Sequence, residues 1–217
     1  MAIALVLAWG ILGTAAGCGV AELNSVWERH LLFEEEPFMS IPTWLPVVLC
    51  GFLFGLLAQQ KGITITVTIH SIWLVTLVQI AMFDLRWRLI LDIVTYPTTV
   101  AAVALSPLVT GLSPINSLEG VAAGLLMLTP FALGGMFSGE DVAFGWGDVK
   151  LGGLMGAMLG ISTSTWRFPA LYAIVLGAVL GGIVIVVLLA AKRLSWHQAV
   201  AYGPFLAAGG IATMFLF

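Results

Sequence analysis

The sequence predicts an all-α polytopic membrane protein, with about eight transmembrane helices of roughly 20 residues in one bundle. Three observations predict it. Hydrophobic residues make up 60% of the 217 and charged residues only 9%, whereas a soluble domain carries roughly 25% charged residues. Mean hydropathy is +1.09. Apolar runs recur along the whole chain, separated by short polar stretches.

The runs are Ala2–Gly19, Trp44–Ala58, Ile63–Phe83, Ile93–Leu112, Leu118–Phe137, Val149–Ser162, Phe168–Ala191 and Ala199–Phe217. The second and sixth are short, which suits tilted or partly buried segments. In the first run Thr14-Ala15-Ala16-Gly17 has the small residues of a cleavage site, but no basic stretch precedes it, so a retained helix is expected. Trp44, Trp87, Trp146, Trp166 and Trp196 fall near run ends, where an interfacial aromatic belt places them. Pro130 inside the fifth run predicts a kink, open either to lateral substrate access or to ordinary bundle geometry. Gly152, Gly156 and Gly160 form a small-residue stripe for close helix contact, and Gly51 and Gly55 repeat the spacing. Cys18 and Cys50 lie in apolar runs without a C-x-x-C, so both read as packing residues.

Charge orients the bundle. With eight spans and both termini outside, Arg29, Arg86, Arg88, Lys150, Lys192 and Arg193 face the cytoplasm, and only Lys61 and Arg167 lie opposite. That split obeys the positive-inside rule. The formal charge of −3 supplies no basic patch for phosphates, so the lipid bilayer is the expected partner and nucleic acid is not. In this topology the third run ends at Asp84 and the sixth begins at Asp148, on the same side of the membrane.

Those two acids are the candidate catalytic residues. An acid at the edge of a hydrocarbon layer is costly and points to function, and the chain has only 11 acids. Each also has a plain reading. Asp84 beside Arg86 and Arg88 fits a topology anchor, and Asp148 after Gly147 fits an N-cap. Gly145 and Gly147 shift the balance, because they would let an extended substrate approach or the turn adopt positive φ. Two acids sharing one proton form a coupled unit that splits general base and general acid between them.

The sequence around both acids resembles a known family. Gly145-Trp146-Gly147-Asp148 resembles the G-x-G-D signature of intramembrane aspartyl proteases. Asp84 through Asp92 to Thr95-Tyr96-Pro97, Gly145 through Leu151 with Gly156 and Gly160, and Gly203-Pro204-Phe205-Leu206-Ala207 resemble three ordered motifs of the type IV prepilin peptidases. Leu91 stands where the family usually has proline. The resemblance implies an aspartic endopeptidase with Asp84 and Asp148 catalytic. It further implies prepilins or pseudopilins as substrates, cut after a short basic leader on the cytoplasmic side of the inner membrane. Gly145, Gly147, Lys150 and Asp92 are expected to border the substrate. Lys150 could also hold the loop, tune Asp148 or anchor the span, and Asp92, which competes for the catalytic role on chemistry alone, reads more readily as a loop or cap residue.

Many members of that family carry two C-x-x-C pairs that hold zinc, associated with N-methylation of the product. Leu23-Asn24-Ser25-Val26-Trp27-Glu28-Arg29 resembles the neighbouring family stretch, but the four cysteines are absent and His30 alone cannot make a tetrahedral site. No metal or cofactor is therefore expected, and the resemblance does not extend to methyl transfer. Residues 1–43 read as a reduced N-terminal region and 44–217 as the peptidase core. The acids Glu22, Glu28, Glu34, Glu35 and Glu36, with Glu140 and Asp141, read as solvated loops or as a field that steers a basic leader. His70, mid-run, reads as a hydrogen-bonded core residue or a proton relay. Rival functions are a non-catalytic prepilin-binding assembly factor and a proton-coupled transporter. The latter is disfavoured because both acids lie at one face without an inverted repeat.

Overall fold

A computed structural model describes residues 2–31, 36–138, 145–161, 168–193 and 200–217. Every regular element among them is helical: α1 Ala2–Leu31, α2 Trp44–Lys61, α3 Ile65–Trp87, α4 Asp92–Leu105, α5 Pro114–Ser138, α6 Trp146–Leu159, α7 Pro169–Ala190 and α8 Gly203–Leu216. A single 3₁₀ turn, Ser106–Leu108, follows α4. Within the described residues α1, α2, α3, α5 and α7 are long and apolar enough to cross a membrane. The 14-residue helices α4, α6 and α8 reach about 21 Å at 1.5 Å per residue, short of a roughly 30 Å hydrocarbon layer. The chain is thus an all-α membrane-type protein in which five of these eight helices have spanning length.

The helices pack as two compact units, Met1–Arg88 and Leu89–Phe217. In the first, α1 and α2 lie backbone to backbone: a Cβ on Gly13 would fall 2.5 Å from the Cys50 carbonyl oxygen, and one on Gly17 equally close to that of Pro46. Glycine permits that approach because no side chain intervenes. Helix α3 is the most buried of the three, 67% of its spanning window being enclosed against 17% and 28% for α1 and α2. Polar pairs tie it to α1: Trp9 Nε1 donates to Ser71 Oγ at 3.1 Å, and Gln79 Nε2 to Asn24 Oδ1 at 3.1 Å. Thr64 caps its start, accepting from the Val67 N–H at 3.2 Å.

The second unit is built around α6, whose residues from Asp148 to Met158 are buried save Lys150. Being enclosed by other helices, it does not need the length of a lipid-facing span. Gly156 packs on the Gly120 carbonyl and Gly152 on the Gly124 carbonyl and Leu128, so the expected glycine stripe forms the α5–α6 contact. Ser117 Oγ adds a bond to the Ala157 carbonyl at 2.7 Å. Gly160 continues the stripe, its Cα close to Gly120, and at φ +67 it also ends α6, a conformation that side chains disfavour. On α8, Gly209 packs against the Ala173 carbonyl of α7.

Several boundaries differ from the sequence expectation. Helix α1 continues past Gly19 to Leu31, so Glu22 and Glu28 stand on a helix rather than in a loop. Helix α3 continues beyond Phe83 to Trp87 and α6 starts at Trp146, so Asp84 and Asp148 both lie inside helices. Cys50 is packed in the core as expected, whereas Cys18 is exposed on α1. His70 is buried, but its Nδ1 has no hydrogen-bond partner among the described residues. Glu34, Glu35, Glu140, Asp141, Trp166, Arg167 and Trp196 lie outside the described residues.

Candidate active site

Asp84 sits one turn before the end of α3 and is 5% exposed. Its backbone carbonyl accepts the Arg88 N–H at 2.7 Å, and Arg88 closes the helix in the left-handed region at φ 53. The turn is then held from two sides. Glu28, on α1 and 16% exposed at its side chain, accepts Arg86 Nη1 at 3.0 Å and Trp87 Nε1 at 3.0 Å through the same oxygen, Oε1. Phe38 donates its N–H to the Arg86 carbonyl at 2.8 Å and places its ring 3.3 Å below the Arg88 guanidinium. The basic residues that suggested a topology anchor thus have structural partners of their own, Glu28 and Phe38.

Asp148 is the third residue of α6 and is 8% exposed. Its Oδ2 accepts the Gly145 N–H at 3.1 Å, and its own N–H donates to the Gly145 carbonyl at 3.0 Å. This reciprocal pair satisfies donors that a helix start leaves open. Gly145 has φ −76, so the expected positive φ is not used there. Gly147 has a different role: a Cβ would stand 3.1 Å from Ile90 Cβ, a tight contact, so the first turn of α6 lies directly on Ile90.

Lys150 does not turn back on Asp148. Residues two apart on a helix do not face each other, and its Nζ instead meets Asp92 Oδ1 at 2.7 Å and Oδ2 at 2.9 Å. Asp92 is the first residue of α4. The ammonium also lies 5.4 Å from the Tyr96 ring centroid. The Lys150–Asp92 pair is partly open to solvent. The two side chains are 29% and 55% exposed, and exposed pairs of this kind contribute only about 0–1 kcal/mol to stability.

The sequence reading singled out neither Tyr202 nor Glu119. Tyr202, just before Gly203-Pro204, has its phenol pushed above its ordinary pKa, first by burial and second by the Asp148 charge. Its hydroxyl donates to the Ala178 carbonyl at 2.9 Å. Its position beside the glycine–proline motif was the available signal. Glu119, inside α5, has an Oε2 that is buried without a partner among the described residues. No group of three or more His, Cys, Asp or Glu able to hold a metal occurs among the described residues.

Apolar helices of spanning length, with a buried acid on the innermost helix of each unit, define a helical membrane protein. The family model described as the type IV leader peptidase family matches residues 71–187, just over half of the chain, and the chain belongs to that family. It is therefore a membrane-associated protease of the leader-peptidase type. Comparison with curated proteins and with solved structures gave no match.

Proposed function

We propose that the protein is an aspartic endopeptidase of the inner (plasma) membrane that removes the basic leader from type IV prepilins or pseudopilins at the cytoplasmic face. The observation that carries the reading is the family match, which spans Asp84, Asp92, Gly145, Gly147, Asp148 and Lys150. Burial of both acids at helix ends supports it. Asp84 and Asp148 act on one water. The ionised acid takes a proton from that water as it attacks the scissile carbonyl. The neutral acid polarises the carbonyl oxygen and protonates the leaving amine.

Gly145, Gly147, Lys150 and Asp92 border the substrate path. Residues 44–217 form the peptidase core, preceded by a reduced N-terminal region, 1–43. All eight helices count as membrane elements, with both termini outside and the acids toward the cytoplasm, as the positive-inside rule favours. Of the three short helices α6 is the one enclosed by others, its residues from Asp148 to Met158 being buried save Lys150.

Co-expression with a type IV prepilin tests the reading. The expected result is a mature product whose mass has lost the leader, with an unrelated signal-bearing preprotein left intact. An uncut prepilin in the presence of folded, membrane-inserted protein contradicts it.

A further inference from the structure

We infer that the Asp92–Lys150 ion pair is a positioning device for Asp148, fixing the rotation of α6 about its own axis. The inference rests on the reading of Asp148 as a catalytic acid. Successive residues of a helix leave its axis about 100° apart, so positions 148 and 150 diverge by roughly 200°. A tether on the Lys150 side therefore sets the direction in which the Asp148 carboxylate points.

The tether is well made for that purpose. Both Asp92 oxygens hold the one ammonium, at 2.7 and 2.9 Å, and Tyr96 flanks it from the next turn of α4. The anchoring segment is stiff. Ile90 and Leu91 are buried, and the Leu91 carbonyl accepts both the Thr95 N–H at 3.0 Å and Thr95 Oγ1 at 2.9 Å. That same short segment supplies Ile90 to Gly147. The first turn of α6 is thus seated on Ile90–Asp92 at two points, one steric at Gly147 and one ionic at Lys150, which share a helix face turned away from Asp148.

The weak contribution of an exposed pair to stability separates positioning from folding. The test uses the full chain in proteoliposomes with a type IV prepilin as substrate. Asp92→Asn and Lys150→Met are each expected to lower kcat by about 10- to 100-fold, with KM within about twofold, as misplacement of a reacting group does. Lys150→Arg and the reversed pair, Asp92→Lys with Lys150→Asp, are expected to recover most of the loss. Unchanged kcat in the single variants overturns the inference. So does a raised KM at constant kcat, which marks the pair as acting in substrate binding alone, or failure of both rescues.

A readout without turnover separates this inference from the peptidase reading. In an Asp148→Cys background, the rate of thiol alkylation is expected to change when Lys150→Met is added. An unchanged rate overturns positioning even if prepilin is never cut, and an altered rate supports it in that same case.

Discussion

Asp84 and Asp148 are the same residue type, each buried on the innermost helix of its unit, yet they are held in opposite ways. Asp84 is near the C-terminal end of α3, and the turn after it is fastened by side chains from elsewhere in the unit: Glu28 on Arg86 and Trp87, Phe38 under Arg88. Asp148 is at the N-terminal end of α6 and is fastened by backbone, through the Gly145 N–H and the close seat of Gly147 on Ile90. The contrast follows from helix polarity. A helix start offers free N–H groups to a carboxylate, whereas a helix end offers carbonyls, which attract Arg and Lys instead. An acid near a helix end therefore needs an external collar, and an acid at a start can use the helix itself.

The contrast predicts different sensitivities. The largest structural effect is expected at Gly147. Gly147→Val forces a branched side chain against Ile90, and a loss of about 1–3 kcal/mol follows from overpacking, read as a lower Tm in detergent. A Tm equal to wild type would show that the seat on Ile90 yields freely. On the other acid, Glu28→Ala leaves Arg86 Nη1 and Trp87 Nε1 without their shared acceptor. A loss of about 1–2 kcal/mol is expected, with Glu28→Gln intermediate because its amide oxygen can still accept both donors but without the charge. Equal Tm values for all three proteins would break the collar argument.

The smallest effect is expected at Arg88. Arg88→Gly relieves a left-handed backbone worth about 1 kcal/mol but removes a cation–π contact worth about 0.5–1 kcal/mol. The two nearly cancel, so Tm should move by little in either direction. Arg88→Ala keeps the strain and loses the contact, and it should be the less stable of the two. A reversed order would contradict that division.

Much of this was legible in the sequence, and the reasons are physical. Apolar composition and run length gave the helical membrane class, and the glycine spacing gave the α5–α6 contact through Gly152 and Gly156. Helix ends were harder. Runs of hydropathy mark lipid-facing length, but α1 continues to Leu31 on polar residues whose partners lie far along the chain, such as Asn24 with Gln79. The roles of Glu28, Phe38 and Ile90 were hidden for the same reason, since each depends on a residue tens of positions away. Asp92 and Lys150 were both singled out, but their pairing needed α4 and α6 to be side by side. Gly160 was read as packing, which its contact with Gly120 bears out, but spacing alone did not reveal that its backbone also ends α6 at positive φ.

The central claim is that Asp84 and Asp148 work as one catalytic unit. Its most direct test is prepilin cleavage by purified wild type, Asp84→Asn, Asp148→Asn and the double variant, all confirmed as helical and membrane-inserted. Each single variant is expected to lose at least about a hundredfold in kcat, and the double variant should be no slower than the singles, because residues acting as a unit are non-additive. Near-normal cleavage by either single variant, or losses that multiply in the double, would contradict it.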